Sequence, residues 1–407
     1  MKYLNLLILY PLFMSMFWIV GTVIYMLFSE IWLKRKPNKD IGDQGISFLI
    51  PCFNEEETIE DTISNLLSLE FPNKQIIVIN DGSSDNSAEV IYKLQKTLDF
   101  TFVDLEKNQG KANALNQGLN YAQYDLVMGI DADTLIDDDA PYFMLEHFID
   151  NPKLAAVTGN PRIRNKKSIL GKIQTIEYAS MVGSIKRAQS LTGKVNTISG
   201  VFTLFRKRAI EQVGKWDIDM ITEDIAISWK FHLANLHIKY EPRALCRMLV
   251  PETIPGLWKQ RLRWAQGGQE VLIRDFKQGI KTLNPATYML IFEQIFSLLW
   301  VHCVVILLII DIINANFLDY YFLNYQFSLL ILSALLLTFI NTVQFVIALF
   351  VDSRYEKINL LTIFYLSWYS TIYWLLNALV AISAFPKALR RKKGAFATWT
   401  SPDRGKN

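Results

Sequence analysis

Several short stretches combine residue types and spacings that could do chemistry. Asp131-Ala132-Asp133 closes a run of Val and Ile. Residues i and i+2 of an extended chain point the same way, so the two carboxylates converge. Two close like charges are costly unless a cation lies between them. A hard divalent ion, Mg2+ or Mn2+, suits such oxygen ligands and can bridge to a diphosphate. A solvated acidic turn would read similarly, since Asp137-Asp138-Asp139 follows. Thr222-Glu223-Asp224 precedes a helical run at 225–234. An N-cap with first-turn acids suits the helix dipole whatever else these residues do. Asp224 is also the candidate general base. The dipole would lower its pKa, whereas enclosure or neighbouring carboxylates would raise it. Gln260, Arg263 and Trp264 stand at i, i+3 and i+4, on one helix face. Arg263 offers a planar donor fork for phosphate oxygens, and Trp264 a flat apolar surface for a ring. An amphipathic interfacial helix with a Trp anchor has the same spacing. Lys259 and Arg261 are expected to project elsewhere, toward lipid headgroups.

Weaker signals flank these. Pro51-Cys52-Phe53-Asn54-Glu55-Glu56 and Asn80-Asp81-Gly82-Ser83-Ser84-Asp85 follow the first two expected strands. Each puts a carboxylate, Glu55 or Asp81, where it can accept hydrogen bonds from a base or ribose. Turn and N-cap chemistry accounts for the same residues. Gln109-Gly110-Lys111 opens a helix: Gly110 permits close backbone approach and Lys111 brings charge, a pairing that suits a phosphate.

The elements that must position these residues divide the chain. It has 407 residues, more than one typical domain. An apolar content of 51% with mean hydropathy +0.18 places part of it in lipid. The net charge of +3 gives no argument for nucleic acid. Three scattered cysteines (Cys52, Cys246, Cys303) read as buried thiols in a reducing compartment, and the four histidines show no ligand spacing. Residues 1–33 form an N-terminal transmembrane helix, long enough to span and lacking an Ala-x-Ala cleavage site. Lys34-Arg35-Lys36 after it predicts that the following residues are cytoplasmic.

Residues 34–254 read as an α/β unit. Strands are expected at 46–50, 75–80, 100–104, 125–130, 154–158 and 198–205, with helical spacing at 56–69, 85–95 and 111–121. Near-continuous apolar strands with crossover helices mean a mostly parallel nucleotide-binding sheet flanked by helices, with ligands beyond the strands' carboxyl ends. Residues 255–284 form interfacial helices, 285–386 three transmembrane segments, and 387–407 a basic tail. Four spans put that tail outside, yet Lys387 to Lys393 is too basic to prefer it. One stretch then lies in the interface or re-enters, or the tail breaks the rule.

Together, Asn-Asp-Gly-Ser-Ser-Asp (80–85), Gly-Lys-Ala-Asn-Ala-Leu-Asn (110–116), Asp-Ala-Asp (131–133), Thr-Glu-Asp (222–224) and Gln-Arg-Leu-Arg-Trp (260–264) resemble the processive, membrane-embedded inverting glycosyltransferases of family two, of GT-A type. That group includes cellulose, hyaluronan and chitin synthases. Val-Thr-Gly-Asn-Pro-Arg-Ile-Arg-Asn (157–165), Ile-Gln-Thr-Ile-Glu-Tyr-Ala-Ser (173–180), Asn-Thr-Ile-Ser-Gly-Val-Phe (196–202) and Ala-Thr-Trp-Thr-Ser-Pro-Asp-Arg-Gly (397–405) narrow the likeness. They resemble the branch that makes β-1,6-linked N-acetylglucosamine polymer, a biofilm adhesin, and the likeness covers essentially the whole chain.

The resemblance implies UDP-N-acetylglucosamine as donor, a growing polysaccharide as acceptor, a divalent metal and a small integral-membrane partner subunit. It implies that Glu55 and Asp81 contact uridine and Lys111 the nucleotide phosphates. Asp131 and Asp133 would hold the diphosphate through the metal, and Ser199-Gly200 would lie near the acceptor. Asp224 would act as base and Arg263 on the leaving diphosphate, with Gln260 and Trp264 bounding the acceptor end. Thr338, Asn341 and Gln344, with Ser367, Thr371, Trp374 and Asn377, would line an export path or bond helix to helix. A transferase placing one sugar on a polyprenyl phosphate is the alternative enzyme, and would not need the 260–264 face. A non-catalytic membrane scaffold would have no use for both aspartate sets.

Overall fold

The computed structural model describes residues 2–34, 36–149, 151–282, 284–314, 320–357 and 360–398. A long apolar helix, α1 (Lys2–Phe28), precedes an alternation of β1 (Ile46–Cys52), α2 (Ile59–Ser68), β2 (Lys74–Asp81), α3 (Ser87–Gln95), β3 (Thr101–Leu105), α4 (Lys111–Leu119) and β4 (Leu126–Ile130). Then come β5 (Leu135–Ile136), α5 (Ala140–Leu145), β6 (Leu154–Ile163), α6 (Ile169–Tyr178), a π-helical turn (Ala179–Ser184) and α7 (Ile185–Leu191). The unit closes with β7 (Phe202–Arg206), α8 (Lys207–Gln212), α9 (Glu223–Leu233) and β8 (His237–Met248).

The strands form one sheet in the order β3-β2-β1-β4-β7-β6-β8-β5. β3, β2, β1 and β4 are parallel neighbours, β7 runs antiparallel to β4 and β6, and β8 returns parallel to β6. Alternation along β1 builds both layers: Phe48 and Ile50 enter one core and Leu49 the other. In α2, Ile59, Ile63 and Leu66 recur at helical spacing and are buried. Since β2 and β4 flank β1 on opposite sides, the chain reverses its direction of travel there, and ligands of such sheets gather at that point.

The expected mostly parallel, helix-flanked sheet is present, with three differences, the first being the unexpected short β5 paired antiparallel to β8. β7 begins at Phe202 because Ser199-Gly200-Val201 is held as a turn, its Ser199 carbonyl accepting from Phe202 N at 3.0 Å and Thr203 Oγ1 at 2.8 Å. No strand is expected from the sequence at β8, which interrupts its alternation with Pro242 yet pairs along β6.

Four helices come after the sheet: α10 (Ile254–Lys281), α11 (Pro285–Asn314), α12 (Tyr320–Asp352) and α13 (Leu360–Leu389). Among the described residues three segments are long and apolar enough to cross a membrane: Ile8–Trp32, Pro285–Leu307 and Ala334–Asp352. Both flanks of α13 hold the α/β unit. Lys166 pairs with Glu356 before it. After it, Arg391 Nη2 lies 2.5 Å from Asp219 Oδ2 and Ala397 N donates to Ile218 O at 2.8 Å. The basic tail therefore lies on the side of the α/β unit. Gln344 donates to Ser180 Oγ at 3.3 Å, which makes it a packing partner of the π turn, and Thr342 donates to Thr338 O of its own helix at 2.8 Å. The side chains of Ser367, Thr371 and Trp374, and residues 399–407, lie outside the described residues.

A buried ion cluster fastens the membrane helices to the sheet. Arg187, fully buried, donates through Nε and Nη2 to Glu30 just past α1 (2.5 and 3.0 Å) and through Nη1 to Asp352 at the end of α12 (2.8 Å). Arg162 of β6 takes the other oxygen of Asp352 at 2.7 Å. Removing one member of such a cluster strands the rest without a partner. Arg187→Met should therefore destabilise the detergent-solubilised protein by about 3–5 kcal/mol. Lys39→Met, whose ion pairs are exposed, should leave the thermal midpoint close to wild type. Equal thermal midpoints for the two variants would remove the anchoring role.

Candidate active site

Glu55 follows β1 and Asp81 ends β2, so two carboxylates stand at the carboxyl ends of neighbouring parallel strands. Asp81 is fully buried, and its oxygens accept from the backbone N–H groups of Gln109 (3.0 Å) and Gly110 (2.8 Å). Glu55 is buried and accepts from Thr58 Oγ1 at 2.9 Å. Gly110 sits at φ +92°, a conformation that side chains resist, and a Cβ there would run into Ala397 O of the tail. The backbone between Asp81 and α4 is thus fixed from both sides.

The start of α4 delivers Lys111 to the centre of the site. Its ammonium lies 2.5 Å from Asp131 Oδ1, 3.0 Å from Glu223 Oε1 and 3.1 Å from Gly200 O. Burial alone would lower its pKa; Asp131, Glu223 and Asp224 outweigh burial and raise it. Lys111, expected as a phosphate contact, also bridges the aspartate pair to the Thr222-Glu223-Asp224 stretch.

Asp133 is buried, and burial first, then Asp131, push its carboxyl up to about 7. Asp131 Oδ1 is buried and has no well-aligned hydrogen bond despite its closeness to Lys111. Asp131 Oδ1 next to a second carboxylate fits a hard cation. Among the described residues no group of three or more His, Cys, Asp or Glu could hold a metal alone, so the pair would share its ion with ligands from outside the chain. His147, His232 and His302 are spent on Glu241, Val195 O and Leu298 O. Cys52 and Cys246 are buried as expected; Cys303 is exposed, on an apolar helix.

Asp224 opens α9 and accepts from Ile225 N at 2.9 Å. The opposing influences on it have a clear winner. Burial, then the charge of Glu223, push its carboxyl up to about 6, against Lys111, the Ile225 N–H and Arg263. Thr222 caps by backbone position only, for its Oγ1 is buried with no partner among the described residues. It packs instead on α10, where a Cβ at Gly267 would overlap it.

That contact brings the 260–264 face to the site, with the charge of Arg263 reaching Asp224. Gln260 Oε1 is buried without a partner among the described residues. Arg261 does not reach lipid: it is buried and donates to Glu177 Oε2 of α6 at 2.6 Å. Its guanidinium lies 4.2 Å from the Trp264 ring centre, and Tyr178 meets Trp264 edge-on at 6.5 Å. Glu177, Tyr178 and Glu223 were missed by sequence reasoning. Glu223 was legible only as a first-turn acid, and nothing in the spacing of Glu177 and Tyr178 points at α10.

Residues 47–214 match the family model described as glycosyl transferase family 2. A poly-beta-1,6-N-acetyl-D-glucosamine synthase of Staphylococcus epidermidis is 61% identical over 410 residues, covering 100% of this chain and 99% of the relative. One from Staphylococcus aureus (strain COL) is 61% identical over 408 residues with the same coverage. The chain belongs to glycosyl transferase family 2, in the group of the poly-beta-1,6-N-acetyl-D-glucosamine synthases. A solved mannosyltransferase from Pyrobaculum calidifontis, in complex with GDP-Man and Mn2+, shares the fold with TM-score 0.64 at 18% identity, over 96% of this chain and 100% of that one.

Asp224, buried and raised to about 6, is the candidate proton acceptor of this site. A base works ionised, so turnover should fall as pH drops through about 6. Asp224→Asn should cut turnover by about 10²–10⁴-fold while donor-nucleotide binding persists. Turnover within tenfold of wild type would assign the base elsewhere.

Proposed function

We propose that this chain polymerises N-acetylglucosamine from UDP-N-acetylglucosamine into a β-1,6-linked polysaccharide, with inversion at each transfer. The observation that carries the reading is the Lys111 bridge, which gathers Asp131, Glu223 and Asp224 around one point. The full-length likeness to named synthases supports the sugar and the linkage.

On this reading Glu55 and Asp81 recognise the uridine. Asp131 and Asp133 face the diphosphate, and Lys111 supplies positive charge beside the phosphates from its bridge. A divalent ion, Mg2+ or Mn2+, bound by the two aspartates would neutralise charge on the diphosphate. The acceptor hydroxyl hydrogen-bonds to Asp224 next to the Ser199-Gly200 turn. Its oxygen attacks the anomeric carbon from the face opposite UDP. As that C–O bond forms, the bond to the diphosphate breaks, UDP takes the electron pair, and the hydroxyl proton passes to Asp224. The Arg263 fork stabilises the leaving oxygens. Gln260 and Trp264 bound the acceptor end, with Trp264 braced by Arg261 and Tyr178.

The catalytic unit faces the cytoplasm in this proposal, since Lys34 and the basic run after α13 both lie on its side. α1, α11 and α12 cross the membrane. α13 starts and ends on the catalytic side. Export of the polymer through the membrane half, contact with membrane lipid and a small integral-membrane partner complete the reading.

Membranes carrying the protein should convert labelled UDP-N-acetylglucosamine and Mg2+ or Mn2+ into insoluble product that a β-1,6-hexosaminidase digests. A chelator should stop the reaction, and restored metal should recover it. A lipid-linked monosaccharide in place of polymer would make this a single-sugar transferase. Full activity in the chelator would remove the metal.

A further inference from the structure

Lys186 is a buried lysine without an obvious stabilising purpose. It lies in α7 at 5% exposure, and among the described residues its ammonium has no carboxylate in ion-pair contact. Its partners are hydroxyls: Ser199 Oγ at 2.6 Å and Thr158 Oγ1 at 3.4 Å. Burying a cation on neutral partners is costly. The backbone enforces it. Next in sequence, Arg187 is clamped by Glu30 and Asp352, and Ser184 Oγ meets Thr22 Oγ1 of α1 at 2.6 Å. The ammonium is held in place by the anchor to the membrane helices.

What it holds leads to the base. Ser199 is fixed on three sides: its Oγ accepts from Lys186, its N–H donates to Thr158 Oγ1 at 2.8 Å, and its carbonyl accepts from Thr203 Oγ1 at 2.8 Å. The next residue, Gly200, turns its carbonyl to Lys111 and its α-carbon to Asp224, so closely that a Cβ would stand 3.0 Å from Asp224 Oδ2. We propose that Lys186 is a positioning residue of the transfer step: through Ser199 it fixes the Ser199-Gly200 turn against Asp224. The inference rests on the assignment of Asp224 as base.

The electrostatics agree. Burial pulls the Lys186 ammonium down to about 7, and Asp224 is the foremost group pulling it back up, with Cys246 behind it. Asp224 also faces Glu223 on its own helix, Lys111 from α4 and Arg263 from α10. Removing the Lys186 charge leaves Glu223 less opposed. The base then keeps its proton to higher pH, and the acid limb of the rate profile moves up.

The test compares purified full-length Lys186→Met, Lys186→Arg, Ser199→Ala and the Lys186→Met/Ser199→Ala double variant, each with UDP affinity measured by calorimetry. Lys186→Met should lower kcat by about 10–100-fold, the loss a small misplacement produces, with donor KM within about twofold and the acid limb at higher pH. Lys186→Arg should return the acid limb and part of kcat. The double variant should be no worse than the worse single, since both cut one path. A wild-type kcat in Lys186→Met overturns the proposal, as does a loss with an unmoved acid limb that Arg fails to rescue, or fully additive losses. Should Lys186→Met not fold, Ser199→Ala decides alone: a wild-type kcat refutes the coupling. If the wild-type enzyme polymerises a different sugar, the same comparison runs on that donor, so a wrong donor and a wrong Lys186 give different results.

Discussion

The site depends on one cation among carboxylates. Asp131, Asp133, Glu223 and Asp224 come from two segments far apart in sequence and share one enclosed region. Two such charges 4 Å apart repel by about 4 kcal/mol at an effective dielectric near 20. Lys111 makes the arrangement possible, with Asp131 and Glu223 on its ammonium at 2.5 and 3.0 Å. Asp133 and Asp224 are the ones raised, to about 7 and about 6. A pair of neighbouring carboxylates suits a hard cation. A carboxylate poised near neutrality suits proton transfer. One lysine thereby gives four similar groups different electrostatic settings.

The second constraint is the helical rod from α6 through the π turn to α7. Its first part holds α10, with Glu177 on Arg261 and Tyr178 on Trp264. Its last part holds the Ser199-Gly200 turn through Lys186 and the membrane helices through Arg187. An uninterrupted α-helix would carry these groups on a different set of faces. The wider π turn inserts a residue and rotates α7 by about 100° relative to α6. Ser180 and Ser184 lie in that turn and bond Gln344 of α12 and Thr22 of α1, so the change of face occurs where the membrane helices touch it.

How much of this was legible in the sequence depends on range. Strands β1 to β4 are short apolar runs between turn residues, and their own composition decides them. Asp131 and Asp133 converge because of a backbone period, and Arg263 and Trp264 share a face for the same reason; both relations are local. Lys111 is different. Its approach to Glu223 joins residues more than a hundred positions apart, so its sequence context suggested only a phosphate contact. Arg261 was misplaced because helical spacing says which residues share a face, not which neighbour covers the other face. Buried Arg187 and Lys186 look like ordinary solvated charges in a helix until Glu30, Asp352 and Ser199 are placed around them. β8 was hidden because Pro242 and alternating charges mask a strand that its partner β6 defines.

The membrane half does more than anchor. α10 carries the Gln260, Arg263 and Trp264 face, and a helix can present that face accurately only if it is braced on its other sides. α9 braces one side, where Thr222 sits on Gly267. α13 braces another, packing along α10 with Gln269 Nε2 donating to Ala381 O at 2.9 Å. A helix crossing the bilayer steeply would meet an interfacial α10 at one point. A helix whose ends both return to the catalytic unit can track it along its length. The same geometry brings Arg391 to Asp219 and Ala397 over Gly110. The last apolar helix thus ties the arginine-bearing jaw, the tail and the loop between Asp81 and α4 into one assembly.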